Sequence, residues 1–458
     1  MEGSARRPRA LMALLFFPRG GSAHVARSLA RALPAHGWEV TVLSGSLVEH
    51  GSHGDARDFY DGLDVRAVDY PLPIDPPVHP AYEDRPSAPD PVFARVDDAA
   101  YERLVEFWAQ RLEEAGVADA DVLHLHHLTP INEAAARVAP EVPVIGHVHG
   151  TELLMLEAIE EGPPSGWEHS AAWARRLRGW AARCERLIVL SPHQHERVDR
   201  LLGVSHERCV EIPNGFDPQT FDRVSVDRLA HWREHLVEAP QGWRPGSGAG
   251  SVGYAPADLE AFADGGPVLL YVGRFTSVKR VRLLIRAHAL ARPRFKARAP
   301  LVLVGGFPGE WEDEHPVEVI ERWAAADVFV AGWHPHPALP AFFAASDVVV
   351  LPSVREQFGQ VLVEGMACGL PAIAVNNHGP AEIVDDGATG WLVEPDDEQA
   401  LAGALLEAVN DPAERERRGA LAHSAARDRY AWPALAGRVA ALYEEVVRAV
   451  HSGPGQKS

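Results

Sequence analysis

The stretch Pro352-Ser353-Val354-Arg355-Glu356-Gln357-Phe358-Gly359-Gln360-Val361-Leu362-Val363-Glu364-Gly365-Met366-Ala367 decides how this chain is read. Two carboxylates, Glu356 and Glu364, bracket a glycine where a loop is expected to become a helix. A glycine there lets the backbone come close to a ligand. The first N–H groups of the new helix are unpaired and lie at the positive end of its dipole, which suits a phosphate. Carboxylates suit the hydroxyls of a sugar or a ribose, so a site offering both suits a sugar nucleotide. Two glutamates alone would be read more simply as the solvated face of an amphipathic helix. The composite pattern, with Pro-Ser ahead and Gly-Met-Ala behind, is far more specific than the pair.

Outward from this block, strands and helices alternate. Short apolar runs at 11–17, 40–43, 121–125, 142–148 and 186–190 read as buried strands, as do 268–272, 301–304, 327–330 and 347–351 in the second half. Residues 371–375 and 391–393 add two more. Helical spacings lie between them, such as Val25, Leu29 and Leu33 within 23–36, closed by Gly37. Strands separated by helices imply parallel sheets covered on both faces. The expected fold class is therefore α/β, with two doubly wound domains. Residues 239–251 are rich in Gly, Pro and Ser and read as a linker or exposed insertion, while 226–237 reads as a helix. Residues 44–96 have weak periodicity and read as a long irregular loop. A last helix is expected over 432–450, with Leu435, Val439, Leu442 and Val446 on one face.

Composition narrows the function classes. A chain of 458 residues exceeds one ordinary core, and 46% hydrophobic with 24% charged residues fits a soluble globular protein. A formal net charge of −20 argues against a nucleic-acid partner, which needs a basic stripe. Cys184, Cys209 and Cys368 are scattered, with no CxxC pair, so neither a disulfide framework nor a cysteine zinc site is expected, and a cytoplasmic setting is. No apolar run approaches the ~20 residues a membrane helix needs. Residues 10–17, after Arg6-Arg7, superficially resemble a signal peptide but read better as the first strand. Trp173, Leu177 and Trp180 share a helical face, with arginines over much of the rest. This reads as a sheet-packed helix, and membrane contact is expected to be peripheral at most.

Open parallel sheets bind ligands beyond the carboxyl ends of their strands. Gly20 and Gly21 follow the first strand and can offer backbone N–H groups to an anion or acceptor. They do not form a GxGxxG fingerprint, which weakens a nicotinamide oxidoreductase reading. Gly273-Arg274-Phe275 follows the strand at 268–272, and Lys279 comes five residues after Arg274. Breaking a glycosyl–phosphate bond pushes negative charge onto the diphosphate, and two fixed cations stabilise it. His124, His126 and His127 follow one strand; His147 and His149 follow another. No carboxylate or cysteine accompanies them in a recognised spacing, so they read as hydrogen-bonded strand-end histidines and no metal is expected.

The opening block resembles the paired-glutamate signature of the family 4 retaining glycosyltransferases, which have the GT-B fold. Ile212-Pro213-Asn214-Gly215-Phe216-Asp217, Gly305-Gly306, His378-Gly379-Pro380-Ala381-Glu382 and Gly387-Ala388-Thr389-Gly390 are similar to further family elements, in the same order. So is the Gly-Arg…Lys element, with Arg280 where many relatives carry a small residue. The resemblance covers most of the chain except 44–100 and 217–266. It implies two Rossmann-like domains facing a central cleft, with the last helix crossing back onto the first. The implied boundaries are 1–216 for the acceptor side, 217–266 for a linker or insertion, 267–431 for the donor side and 432–458 for the returning helix and tail.

The resemblance also implies an activity: retaining transfer of a hexosyl-type sugar from a nucleoside-diphosphate sugar to a hydroxyl of a small-molecule, saccharide or lipid-linked acceptor. Uracil is favoured over guanine on family frequency. Glu356 would hold donor-sugar hydroxyls, Glu364 the ribose diol, and Arg274 with Lys279 the diphosphate. Phe358 and Gly359 would belong to the donor site, and Gly20 and Gly21 would shape the cleft. His149, in His149-Gly150-Thr151-Glu152, would lie near the donor sugar as a neutral imidazole. No cofactor beyond the substrate and no catalytic metal is implied, because cationic side chains take the metal's place. The rivals are another GT-B sugar-nucleotide enzyme, such as an epimerase or phosphorylase, and a non-catalytic sugar-nucleotide-binding protein. Acceptor choice is expected to reside in 44–100 and around 126–129.

Overall fold

The computed structural model describes residues 6–18, 20–47, 54–70, 80–82 and 91–452. The chain divides into two compact units, Met1–Asn214 with Trp432–Ser458, and Gly215–Ala431.

Among the described residues, the first unit carries seven strands: β1 (Arg9–Leu14), β2 (Glu39–Ser46), β3 (Asp64–Asp69), β4 (Val122–His126), β5 (Val144–His147), β6 (Arg186–Val189) and β7 (Cys209–Glu211). They form one parallel sheet in the order β3-β2-β1-β4-β5-β6-β7. A strand buried on both faces needs a continuous apolar run, which Leu11, Met12, Ala13 and Leu14 supply. Ala10, Met12 and Val122 pack on one face with Val25 and Leu29, and with Leu435, Val439 and Tyr443 of the final helix Trp432–His451. That helix therefore returns to the first unit. Leu11, Ala13, Leu123 and Leu125 face the other way, into a core with Trp108, Trp173 and Trp180. Strand order reverses between β1 and β4, where Leu14 pairs with both Ser44 and His126. Such a switch point opens a crevice beyond the strand ends.

Two strands were not expected. β3 has a largely exposed, alternating burial pattern and sits at a sheet edge, so its apolar signal is thin. β7 is three residues long. Within the region expected to choose the acceptor, 48–53, 71–79 and 83–90 lie outside the described residues. The arginine-rich helix Ser170–Arg183 packs its tryptophans inward, and two of its cations meet carboxylates: Arg176 meets Asp98 at 2.6 Å and Arg183 meets Glu133. Among the described residues, no helix is long and apolar enough to cross a membrane.

The second unit repeats the winding with β8 (Leu269–Val272), β9 (Leu301–Val304), β10 (Val328–Gly332), β11 (Val348–Leu351), β12 (Ala372–Val375) and β13 (Gly390–Val393). The parallel order is β10-β9-β8-β11-β12-β13, with its switch point between β8 and β11. Residues 217–266, expected to be a linker or insertion, fold as part of this unit. Helix Arg228–Arg233 buries Trp232, which stacks on Phe262 at 5.3 Å. Trp243 is buried and its Nε1–H donates to the Gly306 carbonyl at 2.7 Å. The Tyr254 hydroxyl accepts the Val330 N–H at 2.7 Å, covering part of the open edge of β10. A few large aromatics thus anchor a segment whose average composition reads as loop.

Candidate active-site residues

In the second unit the expected donor residues converge on the switch point. Gly273 and Arg274 follow β8, and Glu356 follows β11, its neighbour across the reversal. Lys279 ends the single turn Ser277–Lys279, and its ammonium contacts the Glu356 carboxylate. Both side chains are mostly shielded, at 15% and 19% exposure, so the pair is not a screened surface bridge. The two loops are joined nearby: the Val278 carbonyl accepts from the Val354 N–H at 3.0 Å and the Ser353 hydroxyl at 3.3 Å. Arg274 is exposed and has no carboxylate partner among the described residues. Arg280 turns away; its left-handed backbone (φ 55°) directs the guanidinium to Asp396, which it grips at 2.5 and 3.0 Å.

Gly359 caps helix Gln360–Ala367 with φ 103°, a conformation that L side chains avoid. The loop after β12 closes against it. A Cβ on Gly379 would lie 2.3 Å from the Phe358 carbonyl oxygen, so only glycine permits that approach. Phe358 itself is buried, with its ring edge-on to Tyr430 at 5.9 Å. Its side chain therefore braces the loop, and its backbone is the part left to meet a donor.

Glu364 lies one turn into the helix and is buried. Its carboxylate accepts from Gln360 Nε2 at 3.1 Å and sits 2.8 Å from His336 Nε2. The His336 ring packs on Phe221 at 5.1 Å, which draws residues 217–266 into the site a second time. No motif marked His336; Trp333-His334-Pro335-His336 has no spacing that points to a carboxylate on another helix.

In the first unit, Gly20 caps helix Gly21–Ala32 in an extended conformation (φ −121°), and a Cβ on Gly20 or Gly21 would meet nothing within 4 Å. The fold itself does not require glycine at either position. Arg19, just before them, lies outside the described residues.

His149 follows β5 and is buried among the other strand-end histidines. Its Nε2 lies 3.0 Å from His126 Nδ1, and its backbone N–H donates to Glu152 at 3.3 Å. Burial, then the charges of His127 and His124, hold its pKa well below the usual range, so the imidazole is neutral. Burial alone would raise the Glu152 carboxyl. The charge and hydrogen bond of His127, with backbone N–H groups, outweigh it and keep the carboxylate ionised. Glu152 belongs to a quoted motif, but nothing local showed that it would be fully buried beneath the histidines.

Comparisons with known proteins match both units. The family described as Glycosyltransferase Family 4 matches residues 19–220, and that described as Glycosyl transferases group 1 matches residues 259–424. The D-inositol 3-phosphate glycosyltransferase 1 of Catenulispora acidiphila is 28% identical over 373 residues, 78% of this chain and 80% of that protein. A D-inositol 3-phosphate glycosyltransferase of Streptosporangium roseum is 35% identical over 278 residues, 59% of this chain and 57% of that protein. Sucrose-phosphate synthase from Thermosynechococcus elongatus shares the fold, with a TM-score of 0.68 at 20% identity over 97% of this chain and 100% of the other. HepE from Anabaena, solved with UDP and glucose, gives a TM-score of 0.66 at 18% identity over 95% and 99%.

Proposed function

This chain belongs to the group 1 glycosyl transferases of family 4, and from that premise we propose that it moves a hexosyl-type sugar from a nucleoside-diphosphate sugar to an acceptor hydroxyl, with retention. The observation that carries the proposal is the largely shielded contact between Lys279 and Glu356 at the β8–β11 switch point. Each neutralises the other. An arriving diphosphate, with more negative charge than one carboxylate, draws Lys279 to itself and is met by the unpartnered Arg274. Glu356 is then free to accept hydrogen bonds from the sugar hydroxyls. The Gly359 helix start faces phosphate, and Glu364, held by Gln360 and His336, takes the ribose diol.

Transfer forms a bond from the acceptor oxygen to the anomeric carbon and breaks the bond from that carbon to the phosphate oxygen. The departing diphosphate takes the acceptor's proton on the same face, which preserves configuration without an enzymic nucleophile. Arg274 and Lys279 stabilise the charge that develops, so the step needs no metal. His149, neutral and accepting from His126 at Nε2, keeps its Nδ1–H to donate to a sugar hydroxyl oxygen. UDP is favoured over GDP, supported by the Anabaena neighbour solved with UDP. A cytoplasmic setting agrees with three buried free cysteines.

The test begins with a thermal-shift panel of nucleoside diphosphates, followed by mass spectrometry of products from the stabilising donor and cell extract. Inositol phosphate serves as one defined acceptor, because two relatives carry that name. Glu356→Ala is expected to fold normally and to lose nearly all transfer; full activity in that variant would sink the assignment. Glu364→Ala is expected to weaken nucleoside-diphosphate binding about tenfold, roughly 1.4 kcal/mol. An unchanged dissociation constant would reject its ribose role.

A further inference from the structure

Histidines form a column on one face of the first unit's sheet, and not all of their ring nitrogens have partners. His124 and His126 project from the same face of β4, and β5 places His147 opposite His126 in register. The rings are nearly parallel: His124 and His147 are 5.3 Å apart at 14°, and His126 and His147 are 5.1 Å apart at 26°. All three are buried, and one ring nitrogen from each lies within 4.8 Å of those of the other two. The Nε2 atoms of His126 and His147 are buried and have no hydrogen-bond partner among the described residues.

The bonds that are made fix what these rings can offer. His124 Nδ1 lies 2.6 Å from the Tyr443 hydroxyl, and His126 Nδ1 lies 3.0 Å from His149 Nε2. With each Nδ1–H donating outward, each Nε2 keeps a lone pair, unpartnered among the described residues on His126 and turned toward His147 on His124. That is the state of a metal-bound imidazole whose other N–H is held by a second group. His147 Nδ1 lies 3.1 Å from His124 Nε2. A tetrahedral ion with bonds of about 2.0–2.1 Å holds its ligand nitrogens at roughly 3.3 Å, so this pair already stands near ligand spacing.

We infer that His124, His126 and His147 hold a divalent transition-metal ion of the zinc type. The donor set is three imidazoles with no thiolate or carboxylate, which selects zinc, nickel, cobalt or copper over magnesium or calcium. Part of the ion's charge is answered by the buried Glu152 carboxylate, which reaches the column through His127 and the His149 backbone. The ion staples β4 to β5, and through Tyr443 it ties both to the final helix. It also fixes the proton of His126 on Nδ1, so that His149 Nε2 must accept. Sequence spacing hid the set, because two ligands come from one strand and the third from the next. The site lies wholly in the first unit and does not depend on the donor reading.

The full chain, stripped with a chelator, is titrated with zinc by calorimetry and with cobalt(II) by visible absorption. One ion per chain, a tetrahedral cobalt spectrum and a raised Tm are expected. His147→Gln should weaken zinc on the order of 100-fold, and Tyr443→Phe, which removes an orienting group, about tenfold. His206→Gln, in the stacked pair with His195 elsewhere in the unit, should change nothing. Absence of stoichiometric binding overturns the site, as does zinc binding equally tight in His147→Gln. If His147→Gln does not fold, the cobalt spectrum of the native chain and the Tyr443→Phe titration decide. An octahedral spectrum, or unchanged affinity in Tyr443→Phe, then overturns it.

Discussion

The two units share a winding and a switch point, yet they place opposite chemistry there. Beyond β8 and β11 lie charged groups: Arg274, Lys279 against Glu356, and Glu364 one helical turn on. Beyond β1, β4 and β5 lie two open glycines and a column of neutral histidines. The topology explains why a site is expected at this end of each unit and says nothing about what it would bind. The charges do: a leaving diphosphate needs fixed cations, whereas a hydroxyl needs polar groups that neither attract phosphate nor carry charge. The cation facing Glu356 is one of three lysines in a chain that otherwise uses arginine. A compact ammonium is more easily shifted from a carboxylate to a phosphate than a guanidinium clamped bidentately, as Arg280 is on Asp396.

Lys279→Ala attacks this contrast hardest. It should cut kcat by roughly 10²–10³-fold, the usual cost of one group aimed at developing charge, with little change in Tm. A loss below tenfold would mean that the charge work is done elsewhere.

Acid probes the neutral side. His124 is pushed down to about 3 by burial, and His231 and His288, in the second unit, to about 4, chiefly by burial. These groups are neutral when folded and take up protons on unfolding. Their contribution is therefore complete above about pH 6.5 and is lost as pH falls toward their folded values, at up to ~1.4 kcal/mol per pH unit for each. Urea midpoints of the metal-free chain should fall from pH 7 to 5; a flat profile would contradict neutral burial.

The glycines give the finest comparison. Gly359→Ala forces an L residue into a left-handed backbone and should cost about 1–2 kcal/mol, read as a lower Tm. Gly20→Ala meets open space in an extended conformation, so stability should stay within ~0.5 kcal/mol while transfer to the acceptor falls. Equal Tm losses in the two variants would erase the distinction between a glycine the fold needs and one kept for a ligand.

Much of this was legible beforehand, for local reasons. Buried parallel strands demand unbroken apolar runs, and β1, β8, β9 and β11 announce themselves in that way. The Glu356–Glu364 block is a loop-to-helix turn whose chemistry is carried by neighbours in sequence. β3 escaped because an edge strand needs only a half-buried alternation. Trp243, Tyr254 and Phe221 escaped because their partners, Gly306, Val330 and His336, lie far along the chain.

The amino-acid sequence alone determined two wound domains and a final amphipathic helix, which follow from periodicity and short-range spacing acting within a turn or a strand. The return of that helix and the four charged residues of the proposed donor site were implied by the family resemblance. Only the tertiary structure decided that Lys279 meets Glu356, that His336 holds Glu364, and that His124, His126 and His147 share one space beneath Tyr443. Each of those depends on which strands become neighbours and in what register, and a register is set by the packing of the whole sheet rather than by any stretch of residues within it.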